Sequence, residues 1–135
     1  MPAVAPVPGS VTPKGQVAIR SATTGEAVTE GAVIYLSGGL AYKADSSTAA
    51  KATAVGIAVT PAASGDVVYY TSTQLMTMIT GGTFTKNEWY IVSGTAGVIE
   101  QLSDASAGEY VTYLGIGDDD GNLTWNLFVT GQTKA

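Results

Sequence analysis

Residues 28–37 read VTEGAVIYLS and residues 84–93 read FTKNEWYIVS. The second stretch lies 56 positions after the first, and each runs into a glycine turn, Gly38-Gly39 and Gly94-Thr95-Ala96-Gly97. β-branched and aromatic residues dominate both runs, which reads as strand. Two such runs around a Gly-Gly pair read as a hairpin with a tight turn, so LAYKAD (40–45) is the returning strand of the first copy and VIEQLS (98–103) that of the second.

The parallel continues outward. SSTAAKATA (46–54) is an Ala-rich stretch readable as one helical turn or as a loop, and Asp104-Ala105-Ser106-Ala107-Gly108 takes its place in the second copy. VGIAVT (55–60) matches EYVTYLGIG (109–117), with Gly56-Ile57 recurring at Gly115-Ile116, now 59 positions apart. That drift predicts three extra residues in the second hairpin and connection. Turn signals then lead to DVVYYTS (66–72) and LTWNLFVTG (123–131). VAIRSA (17–22) and QLMTMIT (74–80) read as further strands; the latter alternates apolar and polar residues as a half-buried strand does. The repeat covers roughly residues 26–72 and 82–130. A four-stranded unit is too small to hold a core alone. Two of them, paired about a pseudo-twofold, predict an all-β fold, a compact barrel or sandwich built from two similar β units. Residues 16–135 form this single domain, and residues 1–15 precede it as an extended arm.

Four of the five prolines, Pro2, Pro6, Pro8 and Pro13, fall in the first thirteen residues. Proline fixes φ and lacks an N–H, which excludes a helix or a central strand there and leaves a polyproline-like arm. The residues between the prolines are small and apolar, more so than in a purely solvated tail. Pro2, Val4, Pro6, Val7, Pro8, Val11 and Pro13 are therefore the expected partner-gripping positions. The segment lacks the early positive charge and the unbroken apolar run of a signal peptide.

Composition narrows function. The 135 residues contain no cysteine and no histidine, so disulfides, thiol nucleophiles and the commonest general base are absent. Six Lys+Arg against eleven Asp+Glu leave a net charge of −5, which disfavours nucleic acid and anionic membranes as partners. Only 13% of residues are charged, about half the usual share of roughly 25%. Much of the surface is neutral, as in β proteins buried against other chains.

No nucleotide cradle, nucleophile elbow or catalytic triad is spelled out. The one acidic cluster, Asp118-Asp119-Asp120-Gly121-Asn122, has consecutive carboxylates and Val129 where a calcium loop needs its twelfth-position Glu, so it reads as a polar turn. Glu26, Glu30, Glu88, Glu100 and Glu109 lie near turns or on strand faces expected to be solvated. An enzyme working with carboxylates alone would need two of them buried in one cleft with raised pKa. No enzyme, metal or cofactor is expected. Of the adjacent aromatic pairs Tyr69-Tyr70 and Trp89-Tyr90, one ring in each points away from the core, because neighbouring strand residues face opposite sides.

The succession GEAVTEGAVIYLSGGLAYKA, ATAVGIAVTPAASGDVVYY and the restart at YIVSGTAGVI resembles the small capsid decoration, or cement, proteins of tailed bacteriophages, over about residues 25–130. The resemblance implies a β-barrel-like structural virion protein, commonly a homotrimer. It implies a seat on the outer surface of the head, where the protein bridges neighbouring major capsid protein subunits and stabilises the shell. The alternative is a glycan-binding β module of a phage fibre or cell surface. It would carry a concave pocket with an exposed Trp and converging polar groups.

Overall fold

The computed structural model describes residues 12–14, 17–79 and 84–135. Arm positions Pro2, Val4, Pro6, Val7, Pro8 and Val11 lie outside the described residues; Pro13 lies within them. The chain is nearly all β. In order it forms β1 (Thr12–Lys14), β2 (Ile19–Thr24), β3 (Val33–Ser37), β4 (Leu40–Lys43), the one-turn helix α1 (Ala49–Ala52), β5 (Gly56–Ala58), β6 (Val67–Thr71), β7 (Thr77–Ile79), β8 (Trp89–Val92), β9 (Ile99–Gln101), a 3-10 turn (Leu102–Asp104), β10 (Tyr110–Gly117) and β11 (Leu123–Thr133).

The repeat is present strand for strand. In the first sheet the neighbours run β4-β3-β5-β6-β2, and in the second β9-β8-β10-β11-β7. Each unit therefore has five strands, because β2 and β7 join at corresponding edges. Registers correspond too: Ile34 pairs Gly56 as Tyr90 pairs Gly115, and Ile57 pairs Thr71 as Ile116 pairs Thr124. Tyr35 pairs Tyr42 as Ile91 pairs Glu100, which sets the second hairpin two residues longer and the connection after it one residue longer. Ser37 pairs Leu40 across Gly38 (φ 59°) and Gly39 (φ 82°), the two left-handed residues that a two-residue hairpin requires.

The units then diverge. The first closes into a barrel through a parallel β2·β4 pair, Thr23 with Leu40 and Thr24 with Ala41. Its interior is lined by Ala41, Ala58, Ile34, Val68 and Tyr70, which form one buried cluster with Val28 and Ala32. At two of the corresponding places the second unit carries larger side chains, Ile99 for Ala41 and Tyr90 for Ile34, and at two others smaller ones, Gly117 for Ala58 and Leu123 for Tyr70. It stays open, with β1 added beyond β7. Pro13 sits in this edge strand, where its missing N–H removes no central ladder bond.

The second unit covers its inner face with the outside of the first. Val33, Ala44, Ala54 and Ile57 join Tyr90, Val92, Ile99, Leu114, Leu123 and Trp125 in the larger core. Backbone bonds stitch the seam: Val33 N–H to Gly97 O, Gly97 N–H to Ala44 O, and Ser46 N–H to Ser93 O. This contact is not the reciprocal one a pseudo-twofold predicts. Trp89, the counterpart of Val33, is exposed, while the counterpart of Tyr90, Ile34, belongs to the first unit's own core. The packing is head-to-tail, with one unit closed on itself and the other open.

Two strand expectations shrink for a local reason. QLMTMIT and FTKNEWYIVS begin as turns, since Leu75 (φ 62°) and Asn87 (φ 65°) are left-handed, outside the β region of backbone conformation.

Candidate functional site

Two places concentrate chemistry. The first is an aromatic groove on the outer face of the second unit. Tyr113 on β10 pairs across the sheet with Phe128 on β11 and Ile91 on β8, placing all three on one face. Tyr113 and Phe128 stack with centroids 6.5 Å apart, and Trp89 meets Tyr113 edge-on at 5.5 Å. With Gln74, Asn126 and Leu127 these rings line an open groove of about 460 Å³. Trp89 is 38% and Phe128 62% exposed. Both adjacent aromatic pairs split as the sequence predicts: Tyr69 is 47% exposed while Tyr70 is buried, and Trp89 is exposed while Tyr90 is buried.

The polar side of the groove is largely self-satisfied. Gln74 donates to Asn126 Oδ1 (3.1 Å) and to Leu127 O (3.3 Å), and its Oε1 accepts from Leu127 N–H (2.8 Å). The groove thus offers ring faces and few donors.

The second place overturns a sequence expectation. Glu100 was expected to be solvated, yet it is only 8% exposed. It lies on the outer side of β9 opposite Ile91, and the chain through 102–109 folds back beside it. Its Oε1 is buried without a hydrogen-bond partner among the described residues. Burial, then a hydrogen bond with Glu109, then the charges of Glu109 and Asp104 push the Glu100 carboxyl up to about 7, against the opposing Gly94 N–H. Partial burial also pushes Glu109 up, but hydrogen bonds from Ser46 and from Ser106 N–H, the bond with Glu100, and Lys134 outweigh it and hold it below its ordinary value. Ser46 Oγ donates to Glu109 Oε1 at 2.6 Å, and Ser46 belongs to the first unit, so the pair clasps the seam.

One carboxyl protonated and one ionised is the combination acid–base chemistry uses. Here the Glu109 oxygens are taken by Ser46 Oγ and Ser106 N–H, and Glu100 is buried beside them. A glycosidase pair instead holds its substrate between carboxyls about 5 Å or more apart. The arrangement acts as a clasp.

The sign of its pH dependence follows. A carboxyl whose folded pKa is raised stabilises the fold fully below its ordinary value of 4.5 and loses that contribution as pH climbs to about 7. Glu109 acts oppositely, its contribution being lost only as pH falls below the ordinary carboxylate range. Thermal melts at pH 5 and pH 8 are expected to show the wild type less stable at pH 8. Glu100→Gln is expected to remove most of that difference; an unchanged difference in the variant would refute the assignment.

Glu26 and Asp118 have structural roles. Glu26 Oε2 accepts the Lys43 N–H (2.9 Å). Asp118 Oδ1 accepts the N–H groups of Asp120 (2.9 Å) and Asn122 (2.8 Å), forming the polar turn the sequence predicts. Among the described residues no group of three or more carboxylates is placed to hold a metal, and no helix is long and apolar enough to cross a membrane. Sequence reading missed the Glu100–Glu109 pairing because its two members come from different segments; the only signal was Glu100 taking the place of Tyr42 in a strand that otherwise repeats.

No family model matches the chain, and no curated protein and no solved structure matches it.

Proposed function

We propose that the protein is a structural virion component that decorates and stabilises the outer surface of a tailed-phage capsid by bridging major capsid protein subunits. The observation that carries this reading is the uncovered outer face of the first barrel. Ile19 on β2 and Val67 and Tyr69 on β6 stand exposed there, with Ser21 and Thr23 beside them and uncharged. Such a neutral, half-apolar sheet face suits a broad protein contact. Many copies, each weakly held, stabilise a shell because they bind the assembled lattice and not its dispersed subunits. The resemblance of the sequence to cement proteins supports the same reading, including a trimer as the working unit.

The test is co-sedimentation of purified protein with heads that lack it. Wild type is expected to pellet with the heads and to raise their disruption temperature. A Val67→Glu, Tyr69→Glu double variant is expected to bind about tenfold or more weakly, with an unchanged melting temperature because both side chains are exposed. Failure of the wild type to pellet, or equal binding by the variant, would sink the reading.

A glycan-binding module is the second reading, favoured by the exposed Trp89 over an aromatic groove. The commitment of Gln74 to Asn126 and Leu127 counts against it, since sugar recognition needs free converging polar groups.

A further inference from the structure

We infer that the Trp89–Tyr113–Phe128 groove is the seat for the proline-rich N-terminal segment of a second copy of this chain. The inference does not rest on the capsid reading, and it moves the arm's partner from the capsid protein to a neighbouring copy.

The groove's chemistry selects the ligand. Proline-rich segments in polyproline II form present an apolar surface and backbone carbonyls without internal hydrogen bonds. They dock on aromatic-lined grooves that supply flat rings and an occasional donor. This groove has two stacked rings and a third ring edge-on. Its amides are mostly spent on one another. The chain itself carries a matching segment. From Pro2 to Pro8 every position is Pro, Ala or Val. All three faces of a three-residue-per-turn helix are therefore apolar: Pro2, Ala5 and Pro8 on one, Ala3 and Pro6 on another, Val4 and Val7 on the third.

Direction favours a neighbour's arm over the chain's own. Thr12 pairs Ile79 and Lys14 pairs Thr77, while Thr77 pairs Thr124 and Met78 pairs Leu123. β1 therefore runs parallel to β11, with Thr12 level with residue 122. The groove lies farther along β11, at residues 126–128. The chain enters β1 from the end of the sheet away from the groove and would have to reverse over about 17 Å of strand to reach it, at roughly 3.3 Å per residue. Eleven residues precede Thr12. A polyproline segment of that length would span about 34 Å at about 3.1 Å per residue, and continuing straight on from β1 it would reach an adjacent molecule without a reversal. Each copy gives an arm and receives one at a different surface, a head-to-tail contact that closes into a ring when the rotation allows.

Mixing two variants tests this. One lacks residues 2–11 but keeps the groove; the other keeps the arm but carries Phe128→Ala or, independently, Trp89→Ala. Both rings are exposed, and unchanged far-UV circular dichroism checks each fold. By sedimentation velocity the full chain is expected to self-associate reversibly. Each variant alone is expected to be monomeric, and their mixture to form a one-to-one complex with association at least tenfold tighter than either variant alone. A full chain that stays monomeric, or variants that do not complement, overturns the proposal. So does an arm-deleted protein that binds a peptide of residues 1–13 while the full chain, monomeric, does not, since the arm then fills its own groove. Quenching of Trp89 fluorescence by oligosaccharides with no response to the peptide overturns it in favour of the glycan reading.

Discussion

Gly115→Ala is expected to lower stability by about 3 kcal/mol and the melting temperature by on the order of 10 °C. A Cβ at Gly115 would run into the carbonyl oxygen of Thr124, with Thr124 C at 2.9 Å and Leu123 Cδ1 at 3.2 Å. The obstacle is the backbone of the paired strand, which cannot turn aside as a side chain can. Gly56 is barred in the same way: its Cβ would sit 2.6 Å from Thr71 O and 2.8 Å from Tyr70 Cδ2. Thr71 and Tyr70 are the register counterparts of Thr124 and Leu123. The recurring Gly-Ile is therefore one packing constraint written twice, and Gly56→Ala is expected to cost a similar amount. Gly65→Ala is the control. Nothing lies within 4 Å of a Cβ there, but φ is +88°, so only backbone strain of about 1–2 kcal/mol is expected. Chemical denaturation of the three variants separates clash from strain. If all three cost the same, the close approach of strands is not what the glycines serve.

Trp125→Ala is expected to be the more damaging change, at about 3–5 kcal/mol. Trp125 is fully buried in the core that joins the units, and its indole N–H donates to Ser72 Oγ at 3.2 Å. Its backbone also holds the turn before β7, giving its N–H to Met76 O and taking the N–H of Leu75. Truncation empties the middle of the seam while leaving the first barrel's separate core intact. Unfolding followed by hydrogen exchange is then expected to show protection lost first in β7–β11 and retained in β2–β6. Uniform loss across both units would show that the two cores melt as one. Trp125→Phe keeps much of the ring and forgoes the hydrogen bond, so about 1–2 kcal/mol is expected.

Much of this fold is legible in the chain. The Gly38-Gly39 turn, the two-copy repeat, the three-residue drift and the split of Tyr69 from Tyr70 all follow from local chemistry and a period of two. What was not legible depends on volume and on distant segments. Ala41 reads simply as a small strand residue; only in three dimensions does it face the interior of a closed barrel, where the open unit has Ile99. The parallel β2·β4 closure has no local signature. Asn87 is a residue type known to tolerate a left-handed backbone, whereas Leu75 gives no such warning. Among the site residues, the aromatics of the groove were visible as types but not as a group, because Trp89, Tyr113 and Phe128 meet only through register. Glu100 looked solvated because nothing in β9 itself reveals the segment that folds over it.

The head-to-tail seam also gives the molecule an order of birth. Every residue of the first unit's inner core lies between Ala22 and Tyr70, so that barrel is complete in sequence before β7–β11 emerge during synthesis. The second unit has no equivalent independence: its inner face is finished by Val33 and Ile57, side chains already fixed on the older barrel. The N-terminal half serves as a template against which the C-terminal half solidifies. Exchanging the two halves along the chain would leave the native contacts unchanged but present the ribosome with the dependent half first.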